Sequence, residues 1–215
     1  MIVDSKKKEE SPEIKNDTGT TRLKEILQFK VVYWGPGESG KTTNYFRLRE
    51  KFCGVKLNSG YSIETTDGRT LWQDSVRLSF YLNIGEVKYN IITQIVTATG
   101  QERFLSTREY VLNGADGVVF VADSNVEKLE QNKRSFRELL SFTKDKKIPY
   151  VIQLNKRDIS NAVSVKEFKR QLNLPDFIEY EDGTLVIYET VALEGDNITL
   201  CFEDLMLQII FNFLR

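Results

Sequence analysis

The chain has 215 residues, 40% hydrophobic and 28% charged, with 30 basic side chains against 31 acidic ones and a formal net charge of -1. That length carries one domain with a full core, and the near-neutral balance gives no basic surface for nucleic acid, so no such partner is expected. The absence of histidine excludes an imidazole base, the serine triad and the common zinc sites.

The first 24 residues are polar, charged and rich in turn formers (Ser11-Pro12, Asn16-Asp17, Thr18-Gly19), which reads as a mobile tail ahead of one domain over 25–215. From Leu27 the character changes. Phe29 to Trp34 reads as a short strand broken by Gly35-Pro36-Gly37, and a helix is expected from Lys41 to about Phe52. Cys53 and Cys201 stand far apart in no metal-like spacing and read as reduced thiols. Val76 to Asn83 and Tyr89 to Val96 read as an antiparallel hairpin around Ile84-Gly85-Glu86. The continuous apolar runs Val118–Ala122 and Tyr150–Leu154 are those of strands buried on both faces. Leu185 to Tyr188 is read as the last strand, and helical patterns lie around 103–113, 128–143, 164–172 and 200–214. Strands alternating with helices imply an α/β fold, with a mostly parallel central sheet, one antiparallel edge strand and helices on both faces.

In the last helix Asp204, Gln208 and Asn212 form one thin polar stripe and apolar residues fill the rest. That pattern fits either deep burial or a docking surface. The chain has no glycine at its second position, no apolar leader and no prenylation box at its end. The expectation is a cytoplasmic protein without a direct membrane anchor, recruited to membranes, if at all, through partners.

Gly35-Pro36-Gly37-Glu38-Ser39-Gly40-Lys41-Thr42 satisfies the phosphate-loop pattern between a strand and a helix. Its glycines let the backbone curl so that successive amide hydrogens face a phosphate, and the helix that follows adds its free N–H groups and dipole. Lys41 supplies a cation for the β- and γ-phosphates, the Thr42 hydroxyl is a Mg²⁺ ligand, and Thr43 completes the phosphate-binding stretch.

Asn155-Lys156-Arg157-Asp158 directly follows the apolar strand ending at Leu154. A carboxylate at Asp158 can accept from guanine N1–H and from its exocyclic amine, whereas adenine offers neither donor there. Asn155 can hold the opposite edge of the base, and the stem of Lys156 can lie along its face. Two ordered motifs therefore point to a guanine nucleotide, GTP or GDP. A P-loop kinase acting on a metabolite would need an acceptor site and an arginine-rich lid, and neither is apparent.

With these motifs the chain resembles the Ras-like GTPases with their P-loop fold, and within them the MglA family of gliding-motility and polarity GTPases. The resemblance runs from about Phe29 to Leu214 and rests on the phosphate loop, Asp67-Gly68-Arg69-Thr70-Leu71, Thr99-Gly100-Gln101, Gly117–Ser124, Asn155–Asp158, and Val191-Ala192 before Glu194-Gly195. It implies that Gln101 orients the attacking water, that the Gly100 amide meets the γ-phosphate, and that Thr70 joins Mg²⁺ only with GTP bound. It further implies that Arg69 acts as an internal arginine finger, with Gln101 and Lys41 as the other catalytic residues, and that Val191 and the Ala192 amide meet the base. The implied partners are a roadblock-fold, MglB-like activator and effectors that read the switch loops. Thr97 stands where most Ras-like proteins carry an Asp holding a Mg²⁺-bound water, and Thr99 stands where the commonest form of the family has proline. Losing that carboxylate predicts weaker Mg²⁺ binding and slow basal hydrolysis. The expected function is a slow GTP-hydrolysing switch accelerated by a partner; the alternative is a guanine-nucleotide-binding scaffold with little or no hydrolysis.

Overall fold

The computed structural model describes residues 25–52, 56–58, 75–84, 87–98, 105–144, 146–174, 179–180, 183–184 and 186–215. The tail over 1–24 and Cys53 lie outside the described residues. In chain order the elements are β1 (Glu25–Trp34), α1 (Lys41–Lys51), β2 (Lys56–Asn58), β3 (Ser75–Ile84), β4 (Val87–Thr97), α2 (Leu105–Val111) and β5 (Gly117–Asp123). A one-turn 3-10 helix (Val126–Lys128) leads into α3 (Leu129–Thr143), followed by β6 (Tyr150–Asn155), α4 (Val165–Leu172), β7 (Glu179–Tyr180), β8 (Gly183–Thr184), β9 (Ile187–Thr190) and α5 (Ile198–Leu214).

Seven strands form one sheet in the order β2-β3-β4-β1-β5-β6-β9. β1 pairs in parallel with β4 and β5, and β6 in parallel with β5 and β9. β3 runs against its neighbours, and the three-residue β2 hydrogen-bonds outside it. The expected α/β class and the hairpin near one edge are present as read. β7 and β8 make a separate two-stranded hairpin.

Alternation along β1 sorts its side chains between two cores. Leu27, Phe29, Val31 and Tyr33 face α1 and α5, packing with Tyr45, Leu48, Phe202, Leu205 and Ile209. Val32 and Trp34 face the other way, toward Phe136 and Leu139 of α3 and Phe168 of α4. Each of the seven residues of β5 is buried, the signature of a strand covered on both faces. α4 starts at an N-cap, Ser164, whose hydroxyl accepts from the Glu167 amide at 3.2 Å.

The polar stripe of α5 turns inward in part: Asp204 and Gln208 are half-buried and joined by a 3.1 Å hydrogen bond. Leu200, Leu207 and Phe211 remain 54%, 47% and 62% exposed, so the helix is not buried all round. Among the described residues no helix is long and apolar enough to cross a membrane.

Candidate functional site: a nucleotide pocket at the strand ends

The site lies at the C-terminal ends of the parallel strands, where β1, β5, β6 and β9 each deliver a loop. The phosphate loop leaves β1 at Gly35. A Cβ at Gly35 would stand 2.2 Å from the Val121 carbonyl oxygen of β5, so only glycine lets the loop start this close to its neighbour strand. Gly40 closes the loop and caps α1 with φ of 102°, where a Cβ would meet the Asn155 amide nitrogen at 2.2 Å. Between them Glu38 holds a left-handed φ of 65° and is exposed, Ser39 is buried and Gly37 half-buried. Lys41 is buried, and its ammonium donates to the carbonyls of Gly35 at 3.0 Å and Pro36 at 2.5 Å. The loop thus curls around its own cation, which has the hydrogen bonds a buried charge requires. Thr42 and Thr43 are half-buried in the first turn of α1.

Asn155, last residue of β6, joins the two motifs. Its Nδ2 donates to the Ser39 carbonyl at 2.8 Å, while its Oδ1 accepts from the Ala192 amide at 2.9 Å and the Thr190 hydroxyl at 3.1 Å. The side chain expected on the edge of the base is here a weld between the phosphate loop, β9 and the loop at Ala192, and it engages the amide expected to meet the base. That last loop is a tight turn in which the amides of Glu194, Gly195 and Asp196 donate to the Val191 carbonyl at 3.0, 3.0 and 3.2 Å.

Lys156 has φ of 66° and reaches back across the strand ends, its ammonium 2.7 Å from Asp123 Oδ2. Asp123, at the end of β5, is buried: its amide donates to Asn132 Oδ1 at 3.0 Å, and its Oδ1 accepts from the Asn125 amide at 2.9 Å. Arg157 points away from the pocket, 2.7 Å from Glu189 and donating to the Val163 carbonyl at 2.6 Å. Asp158 is exposed at the rim.

Arg69, Thr70, Gly100 and Gln101 lie outside the described residues. Thr97 is the buried last residue of β4, beside Tyr33 in the sheet register, and the next amide, Ala98, donates to the Tyr33 carbonyl at 2.9 Å. The strand end next to the phosphate loop therefore presents a hydroxyl and no carboxylate.

Sequence reasoning missed Asp123, although a carboxylate ending an apolar strand is a visible signal. It also missed Arg108 of α2, which is buried against Glu138 at 2.7 Å and lies 4.3 Å from the centre of the Trp34 ring.

The family model described as the ADP-ribosylation factor family matches residues 76–209. The chain belongs to the ADP-ribosylation factor family. It is a small, Arf/Ras-like P-loop GTPase. It is 39% identical to the mutual gliding-motility protein MglA of Myxococcus xanthus (strain DK1622) over 161 residues, 72% of this chain and 80% of that protein. The human ADP-ribosylation factor-like protein 4A is 25% identical over 180 residues, 83% of this chain and 82% of that protein. Membership of the ADP-ribosylation factor family implies that the chain binds a guanine nucleotide.

Proposed function

We propose that this GTPase is a slow molecular switch that binds GTP or GDP with Mg²⁺ and depends on a partner to complete hydrolysis. The observation that carries the reading is the weld at Asn155. Its 2.8 Å bond to Ser39 and 2.9 Å bond from Ala192 set the phosphate loop and the base-side loop side by side at the C-terminal ends of the strands. One nucleotide spans such a pair, with phosphates on the loop amides and Lys41, and base over the stem of Lys156 against Asp158.

The donor set fits Mg²⁺ held largely by the nucleotide. The Thr42 hydroxyl lies in the first turn of α1, and Thr97 puts a neutral oxygen where a carboxylate would tighten the ion. In this reading Thr70 and the Gly100 amide meet the γ-phosphate side, Gln101 orients water and Arg69 neutralises developing charge. The activator is of the roadblock fold, MglB-like, and effectors read the GTP-bound loops. The protein works in the cytoplasm and reaches membranes through partners.

The scaffold reading draws on one observation, the missing strand-end carboxylate at Thr97. Single-turnover GTP hydrolysis with and without a roadblock-fold activator separates the two. A switch turns over slowly alone and faster with activator, and Gln101→Leu and Arg69→Ala each lose about a hundredfold or more of the stimulated rate. No turnover in either condition would leave the scaffold.

A further inference from the structure

The turn between β5 and α3, Asp123 to Lys128, touches both halves of the pocket. At its inner end Asp123 holds Lys156, as described. In its middle the Ser124 amide donates to the Asn155 carbonyl at 2.8 Å, and Asn125 Oδ1 accepts from the Glu127 amide and from Asn161 Nδ2, each at 2.9 Å. These bonds fix where the turn ends. At that end Lys128 reaches out to the phosphate loop, its ammonium 3.2 Å from Glu38 Oε2 across 90 residues of chain.

Glu38 is an unusual neighbour for a triphosphate. The loop gathers amide hydrogens and the Lys41 ammonium to draw negative charge, and a carboxylate in its backbone run repels that charge. A partner cation at the rim cancels the repulsion and ties the loop to the turn. The Glu38 side chain is 53% exposed and that of Lys128 27%, so the pair sits at the mouth in contact with solvent. An exposed pair adds little to folding. Its place across the mouth gives it leverage on how the nucleotide leaves.

We propose that Lys128 and Glu38 form a latch across the phosphate rim, with Lys128 a positioning residue that holds the phosphate loop shut and slows nucleotide release. The proposal rests on the nucleotide-pocket reading above.

Release of fluorescently labelled GDP from the full chain tests it, measured for wild type, Lys128→Gln, Glu38→Gln and the double variant. The latch predicts about fivefold faster release from Lys128→Gln than from wild type, the scale of an exposed pair. In the Glu38→Gln background the same change should do nothing, because its partner is gone. Release from wild type should quicken with ionic strength, while Lys128→Gln stays nearly flat. Wild-type release from Lys128→Gln, or an equal effect of that change in both backgrounds, overturns the latch while labelled GDP binding upholds the pocket. A wild-type chain that takes up no labelled GDP overturns the pocket reading and the latch with it. Unchanged thermal melting of the variants without nucleotide separates an effect on release from a fault in folding.

Discussion

At the scale of single residues, Cys201 and Tyr33 are fully buried between the sheet and α5, and their burial makes a measurable demand. Burial pushes the Cys201 thiol far above its ordinary range, a push opposed by the neighbouring Gln153 amide and aided by Asp204. Burial likewise raises the Tyr33 phenol, with Cys201 adding to it. Both groups stay neutral in the fold at a pH where the unfolded chain ionises. The unfolded state therefore gains as pH rises through the ordinary thiol value of about 8.5 and then the phenol value of about 10. Stability should be flat up to about pH 8 and then fall, each group steepening the loss by up to about 1.4 kcal/mol per pH unit. Urea unfolding at steps from pH 7 to 10.5 measures this. Cys201→Ala should remove the part that begins near pH 8.5 and leave the later one; an unchanged slope would show that the thiol is not held neutral by the fold.

Among the elements, α2 is joined to the pocket through Arg108. The guanidinium pairs with Glu138 of α3 at 2.7 Å, donates to Ser135 Oγ at 3.2 Å and to the Gly35 carbonyl at 3.4 Å, and lies over the Trp34 ring. Trp34 Nε1 in turn donates to the Ser135 carbonyl at 3.0 Å. One side chain thus ties α2 to α3 and to the first residue of the phosphate loop. Removing it takes a charged partner from the largely buried Glu138, and Arg108→Ala should lower unfolding free energy by about 3 kcal/mol in denaturant titration. Arg108→Lys should recover less than half, since an ammonium can neither fork nor stack as this guanidinium does. Full recovery by lysine would reduce the arrangement to a point charge.

Arg108 also marks where sequence reading stops. Nothing in its local pattern distinguishes it from a solvated helix residue, because Gly35 and Ser135, which it bonds, lie 73 and 27 residues away. The inner strands were legible for the opposite reason: burial on both faces leaves unbroken apolar runs at Val118–Ala122 and Tyr150–Leu154, within one residue of β5 and β6 at either end. β2 has three residues and β7 and β8 two each, too few to show a period, and they were not read. The last strand was placed at Leu185–Tyr188 but spans Ile187–Thr190; its polar end, Glu189 and Thr190, looks like loop until Arg157 and Asn155 are seen to use those side chains.

For the whole molecule, the phosphate loop was readable in full because its residue types are dictated by one local geometry, visible in Gly35 and Gly40. The base side was readable as a motif but not as a mechanism of assembly. Asn155 and Asp158 belong to one tetrapeptide, yet they stand in different surroundings: Asn155 is buried with three partners, while Asp158 is exposed at the rim. The fold therefore assigns the two residues separable effects. Asn155→Ala leaves the Ser39 carbonyl, the Ala192 amide and the Thr190 hydroxyl without that side chain, and should lower stability by about 2–4 kcal/mol even without nucleotide. Asp158→Asn should leave stability within about 0.5 kcal/mol of wild type, as surface changes usually do. It should instead cut the preference for GDP over ADP by about 2 kcal/mol, roughly thirtyfold, because an amide cannot accept from both guanine donors. Thermal melting without nucleotide, paired with competition of GDP and ADP against labelled GDP, reads both effects on the same samples. Equal loss of stability in the two variants would show that Asp158 is part of the frame; unchanged selectivity in Asp158→Asn would move the reading of the base to another residue.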